Sequence, residues 1–209
     1  MSDGVAKSSR STYHHGDLKR ALIEAALTLV AEKGPRGFTL TEAARRAGVS
    51  PAAPYRHFPD KAHLLAAVAE QGFVELHEAL VAVGSGVPDA RARVNAMARG
   101  YVRWAVAHPE YYQVMFGGDT NKSEHPGLLE AGGRTFGCLL EVITECLSSG
   151  LIQGDDPLRI AGPMWSTIHG TATLAIGGDL GQVGIDEQPE DLVQRSANVL
   201  LAGLALGVD

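Results

Sequence analysis

The chain has 209 residues, 45% of them hydrophobic and 20% charged, a balance that suits a globular protein of two small domains or one of middle size. Its net charge of −6 is unevenly placed: residues 1–61 carry 10 Lys and Arg against 6 Asp and Glu, whereas residues 62–209 carry 8 against 18. A basic front on an acidic back is the pattern of a nucleic-acid-binding region joined to something else. The N-terminus has no apolar signal region and no run is long and apolar enough to span a bilayer, so a cytoplasmic protein without a membrane partner is expected. Cys138 and Cys146 stand eight positions apart in a helical pattern, about 12 Å along a helix. That is too far for a disulfide, and free thiols in a reducing compartment are expected.

Residues 1–13 are polar, with Lys7 and Arg10 among serines, and read as an arm that either reaches DNA or hangs free. His14 and His15 lack the companion spacing of a metal site, so no metal is expected. A first helix is predicted from about Asp17 to Lys33, where Leu18, Leu22, Ala25 and Leu29 form one apolar stripe and Gly34-Pro35 supplies the stop. Three helix starts follow within a short span. Thr39 and Glu42 have the spacing of a capping box. Gly48 can take the left-handed stop conformation, and Ser50 can cap a second helix with Pro51 at its first position. Asp60 can accept from the free amides of a helix opening at Lys61. Two short helices joined by a tight glycine turn, the second carrying Tyr55, Arg56 and His57, make a helix-turn-helix, a motif that places a helix in the major groove of DNA. Pro54 falls in the first turn of the second helix, where an amide has no partner or at most the cap residue. Pro51 and Pro54 are therefore expected to stiffen a very short helix.

The segment resembles the DNA-binding domain of TetR-family regulators, the tetracycline-repressor-like proteins. The residues that carry the resemblance are Thr39, Ala44, Ala47, Gly48, Val49, Ser50, Tyr55, His57, Phe58 and Lys61, and it covers roughly residues 14 to 66. Pro54 departs from the pattern, since the family often has an aliphatic residue there. Trp165, His169 and Gly170 resemble the tryptophan-histidine-glycine C-terminal domain of one subgroup. The resemblance implies a homodimeric transcriptional regulator, most often a repressor, that binds a palindromic operator and is released by a small molecule. The alternative is a ligand-independent co-regulator or activator of the same fold.

Beyond the motif, helices are predicted over about 61–83, 89–107, 110–116, 127–149, 157–180 and 189 to the end, with polar loops at 117–126 and 181–188. No segment alternates as a strand, so the fold class is all-α. The expected organisation is an arm (1–13), an N-terminal helix-turn-helix domain (14–60), a connecting helix (61–83) and a C-terminal helical ligand-binding and dimerisation domain (84–209). Residues 157–180 and 199–206 are apolar nearly all round, which requires burial on every side and points to a subunit interface; the resemblance implies that the last two helices pair across a twofold axis.

By position in the motif, Ser50, Pro51, Ala52 and Ala53 should face base edges, with methyl contacts where no polar group is available. Thr41, Arg45 and Tyr55 are candidates for the remaining sequence reading, and Arg56 lies on the same exposed helix. The resemblance implies phosphate contacts for Thr39, Thr41, Tyr55, His57 and Lys61, with the Tyr55 ring buried and its hydroxyl at the DNA. Of 12 aromatic residues, 7 lie between 101 and 165. Tyr101, Trp104, Tyr111, Tyr112, Met115, Phe136, Trp165 and His169 are the candidate lining of an effector pocket, suited to a neutral or aromatic molecule because few charges fall on these faces. Gly132, Gly133, Gly137, Gly170 and Gly177 remove volume opposite the large rings. No nucleophile elbow, phosphate loop or metal spacing is present, so neither enzyme activity nor a cofactor is expected.

Overall fold

The computed structural model describes residues 15–118 and 121–206, so the expected N-terminal arm lies outside the described residues. Its helices are α1 (His15–Lys33), α2 (Leu40–Arg46), α3 (Lys61–Gly84), α4 (Ala90–Ala107), α5 (Pro109–Phe116), α6 (Pro126–Ser148), α7 (Pro157–Gly177), α8 (Asp179–Gln182) and α9 (Pro189–Ala205). Two 3₁₀ turns, Pro54–Arg56 and Lys122–Glu124, complete the order. No strand occurs among the described residues, and the fold is all-α.

Two of the three predicted helix starts, at Thr39 and Asp60, form by the predicted local bonds. Thr39 Oγ1 accepts from the Glu42 amide at 3.2 Å while the Thr39 amide donates to the Glu42 carboxylate at 2.8 Å, a closed capping box. Gly48 ends the turn after α2 at φ +71°, a left-handed backbone that favours glycine. The Asp60 carboxylate accepts from the His63 amide at 2.9 Å and opens α3.

Three expectations are corrected. The second helix of the motif is a turn followed by one 3₁₀ turn. Pro54 has no amide to donate to Ser50, so the Ser50 carbonyl accepts from Ala53 instead, three residues on, and the backbone tightens. This winding buries Pro54, which takes the aliphatic place, and turns Tyr55 outward: its ring is 57% exposed, against the expected burial. Finally, the helix predicted over 157–180 breaks at Gly178, which stands at φ +74° and separates α7 from α8.

One continuous core joins the two ends of the chain, running from Leu22, Phe38 and Phe58 in the helix-turn-helix unit to Val193 and Leu201 in α9. Helix α3 passes through it, touching α1, α4, α5 and α6. At 24 residues it is about 36 Å long. Its first residue is tied down: the Lys61 ammonium donates to the Phe38 carbonyl at 2.9 Å and the Arg36 carbonyl at 3.3 Å, over the Phe38 ring. Midway, Gly72 lets α5 approach closely, since a Cβ there would lie 2.7 Å from Met115 Sδ and 2.9 Å from Tyr111 Cδ1. Both neighbours are buried and cannot simply swing into solvent. Gly72→Ala is therefore expected to destabilise the protein by about 1–2 kcal/mol, because overpacking outweighs the helix-propensity gain of under about 1 kcal/mol. Thermal unfolding of the variant beside Gly84→Ala, where the added methyl finds 3.5 Å of room, measures the difference.

Candidate functional site

Two regions stand out, an exposed cationic surface on the helix-turn-helix unit and a cavity in the C-terminal helices. On the first, the basic side chains divide by partner. Lys33 pairs with Glu42 at 3.0 Å, and with Thr39 this holds the Glu42 carboxyl down at about 2. Arg46 donates to Glu32 at 2.9 Å, which lowers the Glu32 carboxyl and raises the arginine. These charges are neutralised within the fold, and the Lys61 ammonium is held by the two carbonyls. The side chains of Arg45, Arg56 and Tyr55 are exposed and make no hydrogen bond or ion pair with the described residues. The predicted DNA-facing set is thus brought to one surface stretch, but unequally equipped. Ser50, Pro51 and Ala52 are exposed at the turn, Ala53 and His57 are half-buried, and the Thr39 hydroxyl is engaged in the cap. Thr41 is half-buried on α2.

The cavity has a volume of about 560 Å³ and lies among α3, α4, α5, α6 and α7. Phe73, Leu76 and Leu80 of α3 form one wall, Phe136 and Leu139 of α6 another, and Trp165 and Ile168 of α7 close it. Gly132, Gly133 and Gly162 line it as missing side chains. Of the predicted pocket residues, Tyr101, Phe136 and Trp165 line this space. Trp104, Tyr111, Tyr112 and Met115 do not; each is at most 7% exposed and interlocked in the core. The Trp104 and Tyr111 rings lie 6.1 Å apart, and the Tyr111 hydroxyl donates to Glu75 at 2.9 Å, stapling α5 to α3. His169 stands behind the wall, 4.5 Å from the Phe116 ring and 5.4 Å from Trp165. Its Nδ1 lies 2.6 Å from the Tyr112 hydroxyl and 3.1 Å from that of Tyr101. Burial pushes the Tyr101 and Tyr112 hydroxyls up and His169 down, so this cluster is neutral. Gly137, Gly170 and Gly177 do not line the cavity.

Sequence reasoning missed Lys122 and the α3 wall. Lys122 sits in a segment read as a polar loop, yet its ammonium is 5.1 Å from the Phe73 ring centre and 5.0 Å from that of Phe116, inside the cavity lining. Its position as the lone cation of GGDTNKSEHP is the only sequence signal that could have marked it. Phe73 was hidden because α3 was read as a strut. Cys138 meets His77 Nδ1 at 3.2 Å, and burial pushes its thiol up, away from nucleophilic use. Among the described residues no group of three or more His, Cys, Asp or Glu is placed to hold a metal, and no helix is long and apolar enough to cross a membrane.

Comparison with known proteins places these features. Residues 22–68 match the profile of bacterial regulatory proteins of the tetR family, and residues 94–200 match that of the tetracyclin repressor-like C-terminal domain. A solved structure of a protein with unknown function from Rhodococcus sp. RHA1 superposes with a TM-score of 0.81 at 38% identity, over 94% of this chain and 100% of that one. An uncharacterised HTH-type transcriptional regulator of Mycobacterium tuberculosis is 28% identical over 92% of this chain and 86% of its own length. The HTH-type transcriptional regulator BetI of Rhizobium meliloti is 36% identical over 81 residues; that match spans 39% of this chain and 40% of BetI. With both halves matched, the chain belongs to the tetR family of DNA-binding transcriptional regulators.

Proposed function

We propose that the protein is an effector-controlled repressor that binds a near-palindromic operator as a homodimer and leaves it when a small molecule fills the cavity. One observation carries this reading: α3 lines the cavity with Phe73, Leu76 and Leu80 and, at its other end, is anchored into the helix-turn-helix unit through Lys61. A change in the cavity wall therefore bears on the DNA-facing surface through one rigid element. A second route runs through α5, whose Phe116 lines the cavity and which also packs against α1. A ligand-independent regulator has no use for such a volume, because an unfilled cavity costs stability in proportion to its size.

For the operator face, the reading assigns Arg45 and Tyr55 to bases and phosphates beside the exposed Ser50–Ala52 turn, with Arg56 adding charge. The short 3₁₀ turn offers few base-reading side chains, so DNA shape contributes to specificity. For the dimer, Leu158 and Leu174 on α7, Val199 on α9 and Leu206 at its C-terminal cap are 44–79% exposed, apolar side chains that suit burial against a second copy. Leu200 and Leu204, also candidates from the sequence, are half-buried against the core of their own chain.

Val199→Glu is expected to convert dimers into monomers or aggregates in sedimentation, and an unchanged dimer would remove α9 from the interface. On a footprint of the upstream DNA, half-site centres should lie one helical turn, roughly 34–36 Å, or a multiple of it apart. Arg45→Ala should alter sequence preference, whereas Arg56→Ala should weaken all sequences alike and flatten the salt slope by about one unit. Equal operator affinity in a folded Arg45→Ala, Tyr55→Ala variant would rule out this face. Filling the cavity separates sensing from DNA binding. A Cβ at Gly162 meets nothing within 4 Å, so Gly162→Leu should fold as well as the parent, retain operator binding and lose the effector response. In the parent, effector and operator should oppose each other by about 1–3 kcal/mol, equally in both directions.

A further inference from the structure

We infer that the effector is an amphipathic monoanion, a single carboxylate on an apolar body, and that Lys122 is its counter-ion. This rests on reading the cavity as the effector site and replaces the expected neutral ligand. Among the described side chains that line the cavity, Lys122 is the only one with a charge. It comes from the 3₁₀ turn that leads into α6, and its ammonium sits between the Phe73 and Phe116 rings, themselves edge-to-face at 5.4 Å. No carboxylate of the described residues forms an ion pair with it, and none acts on its titration; burial alone lowers it. His169, 4.5 Å from the Phe116 ring, is pushed down by burial and by this lysine. A partly desolvated cation is ordinarily paired with an anion, and two aromatic faces replace only part of its lost hydration.

The hydroxyls of Thr135 and Tyr101 at the cavity are already partnered. Thr135 Oγ1 lies 3.0 Å from the Phe73 carbonyl and 2.9 Å from that of Ala131, and the Tyr101 hydroxyl lies against His169. The cavity thus presents one cation without an anionic partner among the described residues, and elsewhere surface that is chiefly hydrocarbon or aromatic. One positive charge complements one negative charge, which favours a monocarboxylate over a dianion, and the volume fits a long aliphatic or an aryl-alkyl body. The position of Lys122 also explains how occupancy would be felt. A carboxylate that draws the ammonium changes its contacts with Phe73 on α3 and Phe116 on α5, the two helices that bear on the DNA-facing unit.

Calorimetric titration of the full chain with dodecanoate, methyl dodecanoate and dodecylamine tests this, with 4-phenylbutyrate and its methyl ester as the aromatic pair. In at least one body class the acid should bind about tenfold or more tighter than its ester, since the charge-assisted bond exists only for the acid, and the amine should bind weakest. Lys122→Met keeps the unbranched stem and should bring the acid-to-ester ratio to about one chiefly by weakening the acid, while Lys122→Arg should retain the preference. Equal affinity of acid and ester in the parent protein overturns the inference and leaves the cavity reading standing. So does an acid preference that persists in folded Lys122→Met. If no acid and no ester of either body binds the parent, both the inference and the effector reading fall.

Discussion

Everything distinctive in this structure depends on α3 being one unbroken helix packed on four others. Its first turn belongs to the helix-turn-helix unit, fixed by the Asp60 cap and by Lys61 reaching back to two carbonyls before α2. Its middle and last turns form a wall of the cavity. A helix transmits displacement because its backbone bonds leave few soft torsions, so the two regions cannot move independently at the junction. The close approach at Gly72 adds α5 to the same rigid group, since a side chain there would force α5 away and loosen the Tyr111–Glu75 staple.

The aromatic residues divide into two jobs that composition does not distinguish. Trp104, Tyr111 and Met115 fill the junction of α3, α4 and α5 and are buried by one another, which makes the junction stiff. Tyr101, Phe136 and Trp165 face open volume because Gly132, Gly133 and Gly162 stand near them with no side chain to fill it. Tyr112 and His169 lie between the two groups, joined by a short contact and stacked at 5.3 Å. A closely packed junction therefore stands beside an open cavity, and under the proposed function a bound molecule would repack the wall while the junction moves as a body.

On the DNA-facing side the same division holds among cations. Counting Lys and Arg gives a basic region, but Lys33, Arg46 and Lys61 are engaged by Glu42, Glu32 and backbone carbonyls. The field offered to a phosphate backbone is that of the charges left over, Arg45 and Arg56 among them, above an acidic C-terminal part that disfavours other modes of approach.

The sequence alone determined the helix starts at Thr39 and Asp60 and the stop at Gly48, because caps act within three or four residues. Thr39 with Glu42, Gly48 and Asp60 each form the bonds that their spacing dictates, and with the Ala-Gly-Val-Ser and His-Phe positions they make the family legible. The sequence also fixed the all-α class and the free cysteines. It gave less at Pro54, where the missing amide was visible but the switch to a 3₁₀ turn depended on burying the ring and turning Tyr55 out. Which aromatics line the cavity and which fill the core was decided by how α3, α5, α6 and α7 meet, a matter of relative rotation that no helical period encodes. Lys122 is the clearest case. In the sequence it is a charge in a polar loop, and only the fold of that loop back over Phe73 and Phe116 half-buries it against two aromatic rings.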